Sequence, residues 1–96
     1  MARVVATHGA ARDLRELIRT RNLPGTTIER VKRSLRSLAE FPELGAELRG
    51  ALAPRRFVLG PWRWMIVVYR YDPDEDLVAI LAIVDARTST SPAAER

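Results

Sequence analysis

Two neighbouring strand candidates constrain this chain more than any other feature. Arg63–Tyr71 and Leu77–Asp85, joined by the acidic turn DPDED, are apolar at nearly every position instead of alternating. Alternation would leave one face of such a hairpin to water, whereas a continuous apolar run asks for cover on both faces. The chain has 96 residues, enough for one domain near the lower end of what folds unaided. It is too short to build two covering layers. The pattern therefore predicts a fold completed by a partner.

The rest of the chain supplies one layer. RVVAT at residues 3–7 is a short strand, and Thr7 is placed to cap a helix over Gly9–Arg21, with Ala10, Ala11, Leu14, Leu17 and Ile18 at helical spacing. Pro24 and Gly25 break it. Thr26 then opens a second helix with Glu29 in capping-box register, and Ile28, Val31, Leu35, Leu38 and Ala39 form its apolar stripe up to Phe41-Pro42. Residues 42–54 read as mostly irregular, with a turn around Glu47–Leu52. Strands follow at Arg56–Leu59, Arg63–Tyr71 and Leu77–Val84, with turns at Gly60-Pro61 and Asp72-Pro73-Asp74. The expected fold is α+β, in the order β-α-α-β-β-β: a helical hairpin packed on one face of a small, mostly antiparallel sheet. A single domain spans residues 1–88, and 89–96 read as a flexible tail.

Composition narrows the class. Hydrophobic residues make up 47% and charged residues 29%, as in an ordinary globular domain. The absence of cysteine removes disulfides and thiolate metal sites. No metal or other cofactor is expected. Neither a signal peptide nor a membrane span is legible, so a cytoplasmic location without membrane contact is the expectation. Net charge is +4, and it is unevenly spread. Residues 55–71 hold Arg55, Arg56, Arg63 and Arg70 without an acid, whereas 72–76 hold Asp72, Asp74, Glu75 and Asp76. Lys32 is the sole lysine. Arginine suits planar contacts with carboxylates and phosphates, although a G/C-biased coding sequence gives the same enrichment.

Four pieces of sequence, in this order and spacing, resemble the RelE/ParE superfamily of bacterial toxins from type II toxin–antitoxin systems. THGAARDL at residues 7–14 is similar to the family's T-x-x-A-x-x-D-L, and LAEFPELG at 38–45 to its L-x-x-x-P-x-L-G. MIVVYRYD at 65–72 resembles a strand ending in Tyr-Arg-x-Asp, and IVDAR at 83–87 stands where members read VLHGAR. The last piece departs from the pattern, having Asp85-Ala86-Arg87 without histidine or glycine. The loop after Gly45 is also shorter than in many ParE-like members.

The resemblance implies one of two activities. RelE-like members cleave ribosome-bound mRNA by assisting attack of the ribose 2′-hydroxyl on the adjacent phosphate, which needs a base or its electrostatic equivalent and cations on the developing charge. By position, Arg56 matches the first basic residue of that site and Arg87 the late arginine. The second basic position falls on Val58 and the third-strand arginine on Ile66, and no tyrosine follows Tyr71. Arginine is a poor base, and the only histidine, His8, lies far away in sequence. The ParE-like branch, which inhibits DNA gyrase by binding it, is therefore favoured, with no catalytic residue unless Arg56 and Arg87 serve a nuclease. The alternatives are a RelE-like ribosome-dependent mRNA endoribonuclease and a non-toxic, degenerate binding module.

Parity locates the expected partner surface. If Met65, Val67 and Tyr69 face the helices, then Trp64, Ile66, Val68 and Arg70 face away. Such a patch, rimmed by Arg56, Arg63 and Arg87, is more apolar than a monomer normally exposes, and suits an acidic, partly disordered cognate antitoxin that folds as it binds. The bland readings are solvated arginines at strand edges, a solvated helix face for Arg30, Lys32, Arg33 and Arg36, and core packing for Trp62 and Trp64.

Overall fold

The computed structural model describes residues 1–50 and 55–87. The elements run β1 (Arg3–Ala6), α1 (His8–Thr20), α2 (Thr27–Ser34), α3 (Ser37–Glu40), β2 (Ala46–Glu47), β3 (Arg56–Leu59), β4 (Met65–Asp72) and β5 (Leu77–Asp85). The five strands form one sheet in the order β1-β5-β4-β3-β2. β1 lies parallel to β5 and every other pairing is antiparallel. The α+β architecture is the expected one, with a short extra strand, β2, where irregular chain was predicted. The expected domain end at residue 88, the tail 89–96 and the loop residues 51–54 lie outside the described residues.

α1 starts as its sequence predicts. The Thr7 hydroxyl accepts from the Ala10 N–H at 3.2 Å and donates to the Ile80 carbonyl at 2.9 Å, so one side chain caps the helix and pins it to β5. Asp13 extends that role: its carboxylate accepts from the Ile83 N–H at 3.1 Å, beyond the last residue that β1 pairs with. The T-x-x-A-x-x-D-L spacing puts Thr7, Ala10, Asp13 and Leu14 on the turn-to-turn face that meets β5.

The second helix differs from expectation. Thr26 makes no side-chain cap. Instead Thr27, fully buried, donates to the Pro24 carbonyl at 2.6 Å. The predicted single helix breaks at Leu35–Arg36, where Leu38 and Ala39 bond back three residues instead of four. The tighter winding keeps Leu35 and Leu38 both buried and brings the Ala39 carbonyl to the Ala2 N–H at 2.8 Å. Before Pro42 the chain leaves the helical region at Phe41, ending the helix as the proline requires.

The helices cover Met65, Val67 and Tyr69 of β4, as parity predicts, together with Val78, Ile80 and Ile83 of β5. The opposite face corrects the sequence reading. Ile66 and Val68 are 4% and 5% exposed, packed with buried Leu48 and half-buried Phe57, Ala82 and Val84. The expected open patch is absent because the chain just after β2 folds Leu48 onto it. Trp64 corrects it too. β4 begins at Met65, so strand alternation does not reach Trp64, which packs half-buried against the helix-side core.

Candidate functional site

Two polar clamps fix the ends of the β4–β5 hairpin. At one end the Tyr69 hydroxyl, buried as expected, donates to the Pro42 carbonyl at 2.8 Å and accepts from the Gly45 N–H at 2.9 Å. Burial raises the Tyr69 pKa above its ordinary value. A Cβ on Gly45 would sit 2.5 Å from the Phe57 carbonyl oxygen and 2.8 Å from the tyrosine ring, so only glycine admits this approach. Arg56 braces the same loop, donating to the Gly45 carbonyl at 2.9 Å and pairing with Glu47 at 3.1 Å and Glu43 at 3.4 Å. Beyond it, Asp72 accepts from the Asp74 N–H, closing the acidic turn.

At the other end stands Asp85, 4% exposed. Its carboxylate accepts from Arg87 through Nε and Nη2 at 3.0 and 2.9 Å, from the Arg87 N–H at 2.8 Å, and from Arg21 Nε at 2.9 Å. The Arg87 side chain is the main reason the Asp85 pKa lies far below the ordinary carboxylate range, with its N–H and Arg21 adding to the shift against the opposing effect of burial. The same partnership raises the pKa of Arg87. The Arg87 guanidinium lies 4.5 Å from the Trp64 ring centre, Trp64 stacks on Trp62 at 5.8 Å and 16°, and Arg30 of α2 lies 4.6 Å from Trp62. A continuous row thus runs from the end of α1 through β5 and both indoles to α2.

The third feature is a groove of about 600 Å³ between β1, α1 and α2. Val4, Ala10, Leu14, Val31, Leu35 and Ile80 line it, and Arg15, Lys32 and Arg36 add positive charge to its walls. Val5 and Ile28, also in its wall, are 41% and 42% exposed. β1 is a sheet edge, and its outer side carries no strand among the described residues. Here, not on the far face of the hairpin, the described residues leave apolar surface open in a concave form.

A family model described as the ParE toxin of the type II toxin–antitoxin system parDE matches residues 4–89. The chain belongs to this ParE toxin family. Solved structures agree in fold. The RelBE2 toxin–antitoxin complex from Mycobacterium tuberculosis contains a chain 26% identical to this one, with a TM-score of 0.69 over 88% of this chain and 96% of that one. The intact RelBE complex of E. coli gives 16% identity and a TM-score of 0.68 over 92% and 100% of the two chains. The isolated E. coli RelE toxin gives 18% and 0.62 over 99% and 95%. No curated protein sequence matches the chain at a significant level.

In this ParE-family chain the residues singled out from sequence do not form one site. Arg56 pairs across strands with Tyr69, whereas Asp85, two residues before Arg87, pairs with Met65. Those partners are four residues apart on β4, roughly 13 Å along the strand, and the two guanidiniums are committed to different carboxylates. Arg63 is exposed in the turn between the tryptophans, and Arg70 is exposed on β4. Ile66 and Val68 are buried and Trp64 lies in the stack. Sequence reasoning missed Arg21, Arg30 and Asp85 as members of the row, and it missed the groove. Tryptophans flanking an arginine hinted at the row, but nothing local shows which helix cations reach them.

Proposed function

We propose that the chain acts as a ParE-like toxin that inhibits DNA gyrase by non-covalent binding and is neutralised by a cognate antitoxin. The observation that carries this reading is the separation of Arg56 from Arg87. Phosphoryl transfer to a ribose hydroxyl needs cations and a proton acceptor converging on one phosphate. Here the two arginines that match the nuclease pattern brace opposite ends of a hairpin, and each is held by carboxylates. The family match supports the toxin assignment and favours the gyrase branch.

The antitoxin is assigned to the groove. An amphipathic segment can place its apolar side against Val4, Leu14 and Ile28 and its acids against Arg15, Lys32 and Arg36. Ile66 and Val68, originally expected at this contact, are already covered by Leu48.

Inhibition of supercoiling by the purified toxin, relieved by the antitoxin, is the deciding assay, with induction of the DNA-damage response in cells as its counterpart. Codon-positioned mRNA ends with unimpaired supercoiling would instead establish the RelE-like reading, which the 26% identity to the RelBE2 chain favours.

A further inference from the structure

The Arg21–Asp85–Arg87–Trp64–Trp62–Arg30 row has a chemistry of its own, apart from the groove and from any reaction. We propose that this end of the molecule is a binding site for the phosphate backbone of duplex DNA.

Three guanidiniums are held along this row, those of Arg21, Arg87 and Arg30, the row itself contains a single carboxylate, and exposed Arg63 lies in the turn between the two indoles. Asp85 is buried and uses the Nε–Nη2 edge of Arg87 and the Nε of Arg21. It orients both groups, while their side chains remain 59% and 38% exposed. Arg30 is held against Trp62 by its ring contact, and Arg63 makes no ion pair among the described residues. Guanidiniums held in place lose little freedom on meeting an anion, and their planar forks suit phosphate oxygens.

The indoles decide between duplex and single strand. Each already has the other ring and a guanidinium against it, which leaves little open aromatic face for an unpaired base. Recognition by base stacking, on which single-strand binding relies, is thereby disfavoured. The donors that point outward suit backbone oxygens, whose recognition needs no base contact. The field agrees in sign. The opposite end of the hairpin carries Asp72, Asp74, Glu75 and Asp76, so a polyanion is drawn to the tryptophan end and repelled from the other.

Trp62 and Trp64 are the chain's only tryptophans, so tryptophan fluorescence, excited at wavelengths that tyrosine does not absorb, reports on this site alone. Titration of the full chain with a short mixed-sequence duplex at low salt should change that fluorescence, with affinity falling as salt rises. Arg63→Gln and Arg30→Gln should each reduce the slope of log affinity against log salt by about one. Arg12→Gln, on the exposed side of α1, should leave it unchanged. Arg63→Gln alters an exposed turn and keeps the test valid if Arg30→Gln fails to fold. Absence of duplex binding at low salt overturns the proposal. So does an equal loss of slope with Arg12→Gln, or tighter binding of single-stranded RNA of the same length. Because DNA alone is the probe, the result stands independently of gyrase inhibition.

Discussion

The two faces of the β4–β5 hairpin carry similar sequences but are buried in different ways. The helix-side face forms the main core, in which Met65, Val67, Tyr69 and Val78 are fully buried beneath residues from all three helices. The other face has a small cluster of Leu48, Ile66 and Val68 with half-buried neighbours. A strand that is apolar on both sides therefore does not by itself imply a missing partner. Among the described residues, Leu48 packs onto the second face beside Phe57, Ala82 and Val84. A concave apolar surface is left open, among the same residues, in a groove beside the edge strand, a place that strand parity says nothing about.

Substitutions that treat the two faces differently can break this comparison. The largest effect is expected from Val68→Asp, which puts a carboxylate under Leu48; we expect a loss of about 3 kcal/mol or more in denaturant unfolding. Near-native stability for this variant would show that the second face is open after all. Gly45→Ala should cost about 2–3 kcal/mol, because the added methyl meets the Phe57 carbonyl and the Tyr69 ring. Matched truncations come next: Val67→Ala should cost about 2 kcal/mol and Val68→Ala about 1, since the thinner cluster collapses more easily into the space left. Equal losses would make the two faces equivalent.

Asp85→Asn should cost about 1–2 kcal/mol near neutral pH, with the exposed guanidiniums free to rehydrate. Its pH signature is the sharper measurement. The Asp85 pKa is lowered on folding, so the unfolded state binds the proton first and the contribution is complete only above the unfolded value, about 4. Wild type should therefore lose stability relative to Asp85→Asn as pH falls below about 4, and the gap between the two should narrow. The smallest effect on stability, within about 0.5 kcal/mol, is expected from Ile28→Glu in the groove wall. That same variant should abolish antitoxin capture in a pull-down, the reverse of the pattern expected for Val68→Ala.

Much of the fold was legible because its signals are local. Thr7 stands before an apolar helical stripe, and its cap forms as the sequence predicts. Tyr69 shares parity with Met65 and Val67 and is buried with a bonded hydroxyl. The Thr26 capping box does not form: Thr26 has φ −85° and ψ 3° instead of the extended backbone an N-cap needs, and it is the Thr27 hydroxyl that ties this turn by donating to the Pro24 carbonyl. The binding surface was less legible. Parity extended one residue too far put Trp64 on the wrong face, and no local rule connects Arg21 or Arg30 to the indoles.

Periodicity and turn chemistry determined the order of the main elements, the turns and the inward face of β4, because each depends on residues a few positions apart. Only the tertiary structure decided the rest. A bulge makes β4 pair Val68 with Ala82 but Tyr69 with Ile80, skipping Leu81, so the inward series of β5 changes parity from Val78 and Ile80 to Ile83. Leu48 reaches the second face, Asp85 gathers two distant arginines, and β1 borders an open groove. These outcomes depend on contacts between segments far apart in sequence, whose geometry is settled only when the sheet and helices pack together.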